Sequence, residues 1–169
     1  MSVRPVSLLL AIALGALCTG PAAARSGDRN QPMEVEAGHT SGTVDYSQPT
    51  TLSGGVKIVQ GTLNIDADRA VISFKDGEAS QAVLTGGQAV LKQQMDDGTH
   101  MTARADRIDY DMLADVVVLI GNYTVTTQRG STSGQRLTYN LKNGQVDSGG
   151  EDGGRVRMRI LPKSQRTQD

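Results

Sequence analysis

Histidines and carboxylates are the side chains of this sequence that chemistry would use first, and their spacing decides against it. His39 and His100 are the only two histidines. Neither stands in an H-x-x-x-H or comparable ligand spacing, so no metal site is expected. Asp66, Asp68, Asp106, Asp109 and Asp111 would be needed as pairs for acid and base work. In the local alternation they fall mostly on polar faces or at strand ends, where solvated charge accounts for them. A G-x-S-x-G nucleophile elbow and a G-x-x-x-x-G-K-[ST] phosphate loop are both absent, and no glycine cluster leads into a helical pattern. The sequence therefore predicts no catalytic residue, no cofactor and no enzyme.

What remains is the framework. Three stretches share one pattern, a small residue, two polar residues, then alternation: Ala67-Asp68-Arg69-Ala70-Val71-Ile72-Ser73-Phe74, Ala105-Asp106-Arg107-Ile108-Asp109-Tyr110-Asp111-Met112 and Gly134-Gln135-Arg136-Leu137-Thr138-Tyr139-Asn140-Leu141. In each, the fourth, sixth and eighth residues are apolar or aromatic, so one sheet face recurs along the chain. Val71 makes the first copy impure, and the unequal intervals favour a folded-back sheet over a strict solenoid. Whether Ala70, Ile72 and Phe74 share a face with the other copies is left open by the pattern.

The ends read differently. Arg4, the apolar run from Val6 to Leu17 and the small residues Ala22-Ala23-Ala24 form a secretory signal peptide over 1–24, so the remainder is expected to be exported. Gly15 stands where a lipobox before Cys18 would want a branched apolar residue. Cys18 is the only cysteine, so cleavage leaves a domain without disulfides. With one Phe, four Tyr and no Trp, its core must be aliphatic, and a formal net charge of −1 offers nothing to nucleic acid. Residues 25–31 and 163–169 are polar and read as mobile.

Between them alternation marks strands at 33–36, 43–46, 56–60, 62–67, 70–74, 81–84, 89–94, 101–105, 108–111, 116–120, 123–127, 136–139, 145–147 and 155–161. Gly54-Gly55, Gly86-Gly87, Gly121-Asn122 and Lys142-Asn143-Gly144 are placed as hairpin turns, and Asp97-Gly98 as another. Val116 to Ile120 is apolar on both faces. The last strand puts Val156, Met158 and Ile160 on one face and Arg155, Arg157 and Arg159 on the other, and its terminal position suits a sheet edge open to another chain. From pattern alone, the recurrent apolar face fills a β-sandwich core or lines an apolar channel for lipid.

The strings Gln31-Pro32-Met33-Glu34-Val35-Glu36, then Leu52 to Asp68 (LSGGVKIVQGTLNIDAD), then Val117-Val118-Leu119-Ile120-Gly121-Asn122 resemble the OstA-like family, in order and spacing, from about Gln31 to about Pro162. That resemblance implies an all-β fold over 25–162, an open twisted antiparallel β-jelly roll, or β-taco, with an apolar interior groove. It implies a periplasmic protein that shields the acyl chains of lipopolysaccharide (lipid A) and self-associates end to end, linking an LptC-like inner-membrane protein to an LptD-like outer-membrane protein. By position it puts Met33, Val35, Leu91, Tyr110 and Met112 in the groove, and the repeat adds Ile72, Phe74, Ile108, Leu137 and Tyr139. The partner edges are then Met33 and Val35 at one end, and Val156, Met158 and Ile160 at the other. The alternative is an envelope adaptor that joins proteins by strand pairing and carries no lipid.

Overall fold

The computed structural model describes residues 26–149 and 154–165. Residues 1–24, the expected signal peptide, lie outside them. Among the described residues nine strands run in chain order: β1 (Met33–Ser41), β2 (Thr50–Gln60), β3 (Leu63–Lys75), β4 (Glu78–Gln94), β5 (His100–Asp111), β6 (Val116–Thr127), β7 (Gly130–Asn140), β8 (Val146–Ser148) and β9 (Arg157–Ile160). Each is antiparallel to its predecessor from β1 to β8, and β9 returns to pair with β7. The sheet does not close on itself, so β1 lies at one edge and β8 and β9 at the other.

Hairpin turns form where positive φ is supplied locally. Asp76 (φ 53°) and Gly77 (φ 82°) make a two-residue turn between β3 and β4, the Asp-Gly pairing whose twist matches the flanking strands. Between β5 and β6, the Asp111 carboxylate accepts from the backbone N–H groups of Leu113 (3.0 Å) and Ala114 (2.8 Å).

Gly54-Gly55, Gly86-Gly87 and Gly121-Asn122 are not hairpin turns. All three have positive φ, yet they lie inside β2, β4 and β6, where the pairing register shifts and the strand continues. Pairs of short strands expected on either side of them are therefore single long ones. Shifts in β1 (Ala37/His39), β3 (Asp66/Arg69) and β5 (Arg104/Arg107) fall beside them, so the irregularities line up as one crease across the sheet. The Ala67-Asp68-Arg69, Ala105-Asp106-Arg107 and Gly134-Gln135-Arg136 repeats are the crossings of that crease. Two polar residues in succession put two positions between the inward side chains Ala105 and Ile108, where plain alternation has one; both inward side chains are fully buried.

The crease divides the sheet into two leaves. One comprises 33–37, 56–60, 63–66, 89–94, 100–105, 123–127, 130–134 and β9. The other comprises 39–41, 50–53, 69–75, 78–85, 107–111, 116–120, 136–140 and β8. β7 crosses from leaf to leaf, so β9 extends the first and β8 the second. Glycine is required at the crease for space as well as φ. A Cβ on Gly86 (φ 100°) would lie 2.5 Å from Asp68 Cβ, and one on Gly121 (φ 75°) 2.6 Å from Asp106 Oδ2. The outer side of the crease is polar: Asn122 Nδ2 donates to Asp106 Oδ2 (2.8 Å), and Gln135 Nε2 donates to Asn122 Oδ1 (3.4 Å).

Two further expectations are corrected. Residues 43–46 form no strand; they belong to the loop between β1 and β2, where Tyr46 has a positive φ of 55° and the Thr43 and Asp45 side chains accept from the Gln48 and Ser47 backbones. The N-terminal segment expected to be mobile contains a 3₁₀ turn, Ser26–Asn30, docked on the β2–β3 hairpin. Its Asp28 is buried, and Thr62 Oγ1 donates to Asp28 Oδ2. Lys163–Gln165 forms a second short 3₁₀ turn.

Candidate functional site between the leaves

The site is built from the inward side chains of both leaves. In β5, Met101, Ala103 and Ala105 face inward before the crease, and Ile108 and Tyr110 after it. The half-strands 116–120 and 136–140 contribute Val117, Leu119, Leu137 and Tyr139. Val116, Val118 and Ile120, the outward half of the run expected to be apolar on both faces, are half-buried. Leu91, Ile108, Tyr110, Leu137 and Tyr139 are 0–3% exposed, and Ile72 is 6%. Met33, Phe74 and Met112 are partly buried against the same core, while Val35 is 39% exposed. Ala70, Ile72 and Phe74 thus join the face of the other two repeats. Sequence reasoning missed Ile58, Leu63, Ile65, Leu84 and Tyr123, all fully buried in the same interior; the alternation of 56–60, 62–67, 81–84 and 123–127 carried that signal.

Ends and middle differ. Between the leaves, Leu91, Met101, Val117, Leu119, Leu137 and Tyr139 surround a void of about 10 Å³, scarcely one water in size. At the β1 end, a cavity of about 540 Å³ opens between Met33, Val35 and Ala37 on one leaf and Leu52, Ile72 and Phe74 on the other. The Tyr46 ring lies over it, its centroid 4.6 Å from that of Phe74. At the other end, Val125 and Gly130 line a cleft of about 250 Å³ with Met158 and Ile160. Met158 and Ile160 are 64% and 72% exposed, the largest apolar exposures of the β9 edge.

The outer faces carry the charge. Arg107 holds Asp109 through Nε to Oδ1 (2.6 Å) and Nη2 to Oδ2 (3.0 Å), a bidentate surface pair that keeps the guanidinium protonated. Asp66, Asp68, Asp106 and Asp111 also lie at exposed or half-exposed positions, and His39 and His100 are exposed on different strands. Among the described residues no group of three or more His, Cys, Asp or Glu gathers into a metal site, and no helix is long and apolar enough to cross a membrane.

Arg129 Nη2 reaches Asp97 Oδ2 (3.3 Å), tying the β4–β5 and β6–β7 hairpins. Hydrogen bonds from Thr99, then the Arg129 charge, hold the Asp97 carboxyl below its ordinary value. A carboxyl with a depressed folded pKa stabilises the fold above its unfolded pKa, and that contribution disappears as pH falls through the folded value. Asp97→Asn is accordingly expected to cost a few tenths of a kcal/mol at neutral pH. The difference from wild type should vanish below the ordinary carboxylate range, as followed by urea melts across pH.

Residues 34–145 match the family model described as LptA/(LptD N-terminal domain) LPS transport protein. The chain belongs to this family. The lipopolysaccharide export system protein LptA of Escherichia coli (strain K12) is 30% identical to it over 160 residues, covering 93% of this chain and 86% of that protein. LptA of Haemophilus influenzae is 26% identical over 157 residues, 91% of each chain. The crystal structure of LptH of Pseudomonas aeruginosa, an LptA-homologous periplasmic component, has the same fold, with a TM-score of 0.71 at 23% identity over 80% of this chain and 99% of that one. The OstA-like resemblance and the open β-jelly-roll fold are therefore established. The LptA relatives are export proteins and not enzymes, as the missing catalytic constellations lead one to expect.

Proposed function

We propose that this LptA-like chain is a periplasmic lipopolysaccharide carrier that shields lipid A acyl chains between its two leaves. Copies stack end to end into a bridge between an LptC-like inner-membrane component and an LptD-like outer-membrane one. The observation that carries this reading is a single apolar interior that runs the length of the folded sheet, opens into apolar clefts at both ends and finishes in unpaired edge strands. Acyl chains in water expose hundreds of square ångströms of apolar surface. At about 25 cal/mol per Å², transfer to such an interior is strongly favourable. Strand addition at β1 and at β8 or β9 would continue the interior from copy to copy while satisfying the open edges.

The tight packing of the middle favours a second reading, an adaptor that joins envelope proteins through its edges and never takes lipid in. A photo-crosslinking residue at Ile108, fully buried and inward, separates the two; its neighbour Asp109 faces out. Purified lipopolysaccharide should label position 108 and leave 109 unlabelled. Labelling at 109 alone would sink the carrier. No labelling at either position, with end-to-end association intact, would favour the adaptor.

A further inference from the structure

Opposite the crease, the two leaves end in hairpins that form the free rim of the fold. Tyrosine hydroxyls reach across it to glutamine side chains at two places. Tyr110, at the rim end of its leaf, donates from its hydroxyl to Gln60 Oε1 (3.3 Å) on the other leaf, and Gln60 Nε2 in turn donates to the Gln31 carbonyl (3.2 Å). Tyr139, likewise placed, donates to Gln93 Oε1 (3.5 Å) and lies 3.8 Å from Met95 Sδ. These are long hydrogen bonds among apolar neighbours, so each holds weakly and is readily exchanged. Gln93 is odd in a second way. It occupies the inward position after Ala89 and Leu91, is 2% exposed, and its Nε2 has no hydrogen-bond partner among the described residues. An unpaired buried amide donor is costly and calls for an acceptor in some other state of the molecule.

We propose that Tyr110–Gln60 and Tyr139–Gln93 are a rim latch. It holds the leaves together when no lipid is inside and, when they part, turns these groups onto the ester, amide and hydroxyl groups at the heads of the acyl chains. Gln93 Nε2 is the donor that then gains a carbonyl. The packed middle, with room for scarcely one water, requires the leaves to part before a chain can pass through it from the cleft at either end. The glycine-lined crease is the axis about which they part, and the rim contacts span the widest opening. Tyrosine suits the task because its ring packs while its hydroxyl pairs, and glutamine because one carboxamide both donates and accepts. The second half of the proposal, exchange onto lipid, rests on the carrier reading; the first half does not.

The test uses the full chain carrying Cys18→Ser, with spin labels at Asp96→Cys and Gln145→Cys, exposed positions on the rim hairpins that Tyr139 and Gln93 connect. Pulsed-resonance distances are measured in the presence and absence of purified lipopolysaccharide. Without lipid, Tyr110→Phe with Tyr139→Phe should add a longer-distance population to the single one expected of wild type, and lipopolysaccharide should shift wild type to the same longer distance. Phenylalanine keeps the packing, so the variant remains folded. Identical lipid-free distributions in wild type and variant overturn the latch. A variant that opens while lipopolysaccharide moves neither protein supports the latch and defeats the carrier. Gln93→Leu should release bound lipopolysaccharide about fivefold faster, the value of one neutral hydrogen bond; unchanged release overturns the exchange onto lipid.

Discussion

Gly86→Ala is expected to cost about 3 kcal/mol of stability, against about 1 kcal/mol for Gly55→Ala, although both glycines have positive φ. Strain from a left-handed backbone is common to the two substitutions. Space is not. The new methyl at 55 meets nothing within 4 Å, whereas at 86 it would lie 2.5 Å from Asp68 Cβ, and both of those atoms belong to strands paired on either side of the crease. Neither strand can yield without moving the leaf attached to it, so the excess of about 2 kcal/mol measures how closely the crease is packed. Asp68→Gly removes the opposing Cβ, and in the double variant the excess should shrink, giving a coupling of about 1 kcal/mol or more. Urea unfolding monitored by far-ultraviolet circular dichroism reads all four variants against wild type. Equal midpoints for Gly86→Ala and Gly55→Ala would mean that the crease is loose and that its glycines serve φ alone.

The same crease shows how far the sequence could be read and where it misled. Small-polar-polar followed by alternation was visible in all three repeats, and it correctly placed Ile108, Tyr110, Leu137 and Tyr139 inside. Its first three positions were the harder part. They mark a switch of face within a strand, and that meaning emerges only when the neighbouring strand is known to bend at the same level. Gly54-Gly55, Gly86-Gly87 and Gly121-Asn122 look like turns in the sequence because a left-handed backbone serves a reversal and a bend equally well. What separates them is pairing across strands, which a single chain does not display. Asp76-Gly77 lies between the expected strands 70–74 and 81–84, where the sequence reading names no turn residue, and the Asp-Gly pair makes the reversal there. At 43–46, Val44 and Tyr46 alternate like a strand, yet Val44 is 98% exposed and Asp45 turns the backbone, since local alternation without a partner strand has nothing to pair with. The rim contacts were invisible for a related reason: Tyr110 and Gln60 stand fifty residues apart, in hairpins that only the crease brings together.

Met158→Asp with Ile160→Asp should weaken self-association at least tenfold and leave folding almost untouched. Both side chains lie on β9, which pairs with β7 alone, and they are among the most exposed large apolar residues described. In the isolated protein a charge there is solvated, so urea midpoints should agree with wild type within about 0.5 kcal/mol. If a second copy adds its β1 at this edge, the same charges become buried beside Met33 and Val35, and the apolar contribution, about 1.5–3 kcal/mol for each fully covered side chain, is lost. Sedimentation over a range of concentrations measures the change; an unaltered profile would remove β9 from the interface. Val35→Asp should act in the same way from the opposite edge. Mixing then distinguishes the geometry. A head-to-tail contact leaves one sound edge on each variant, so the two together should form heterodimers that grow no further, while each alone stays monomeric. A two-fold contact between identical edges would behave differently: the Val35→Asp protein would still pair through its intact β9, and mixing would produce no new species.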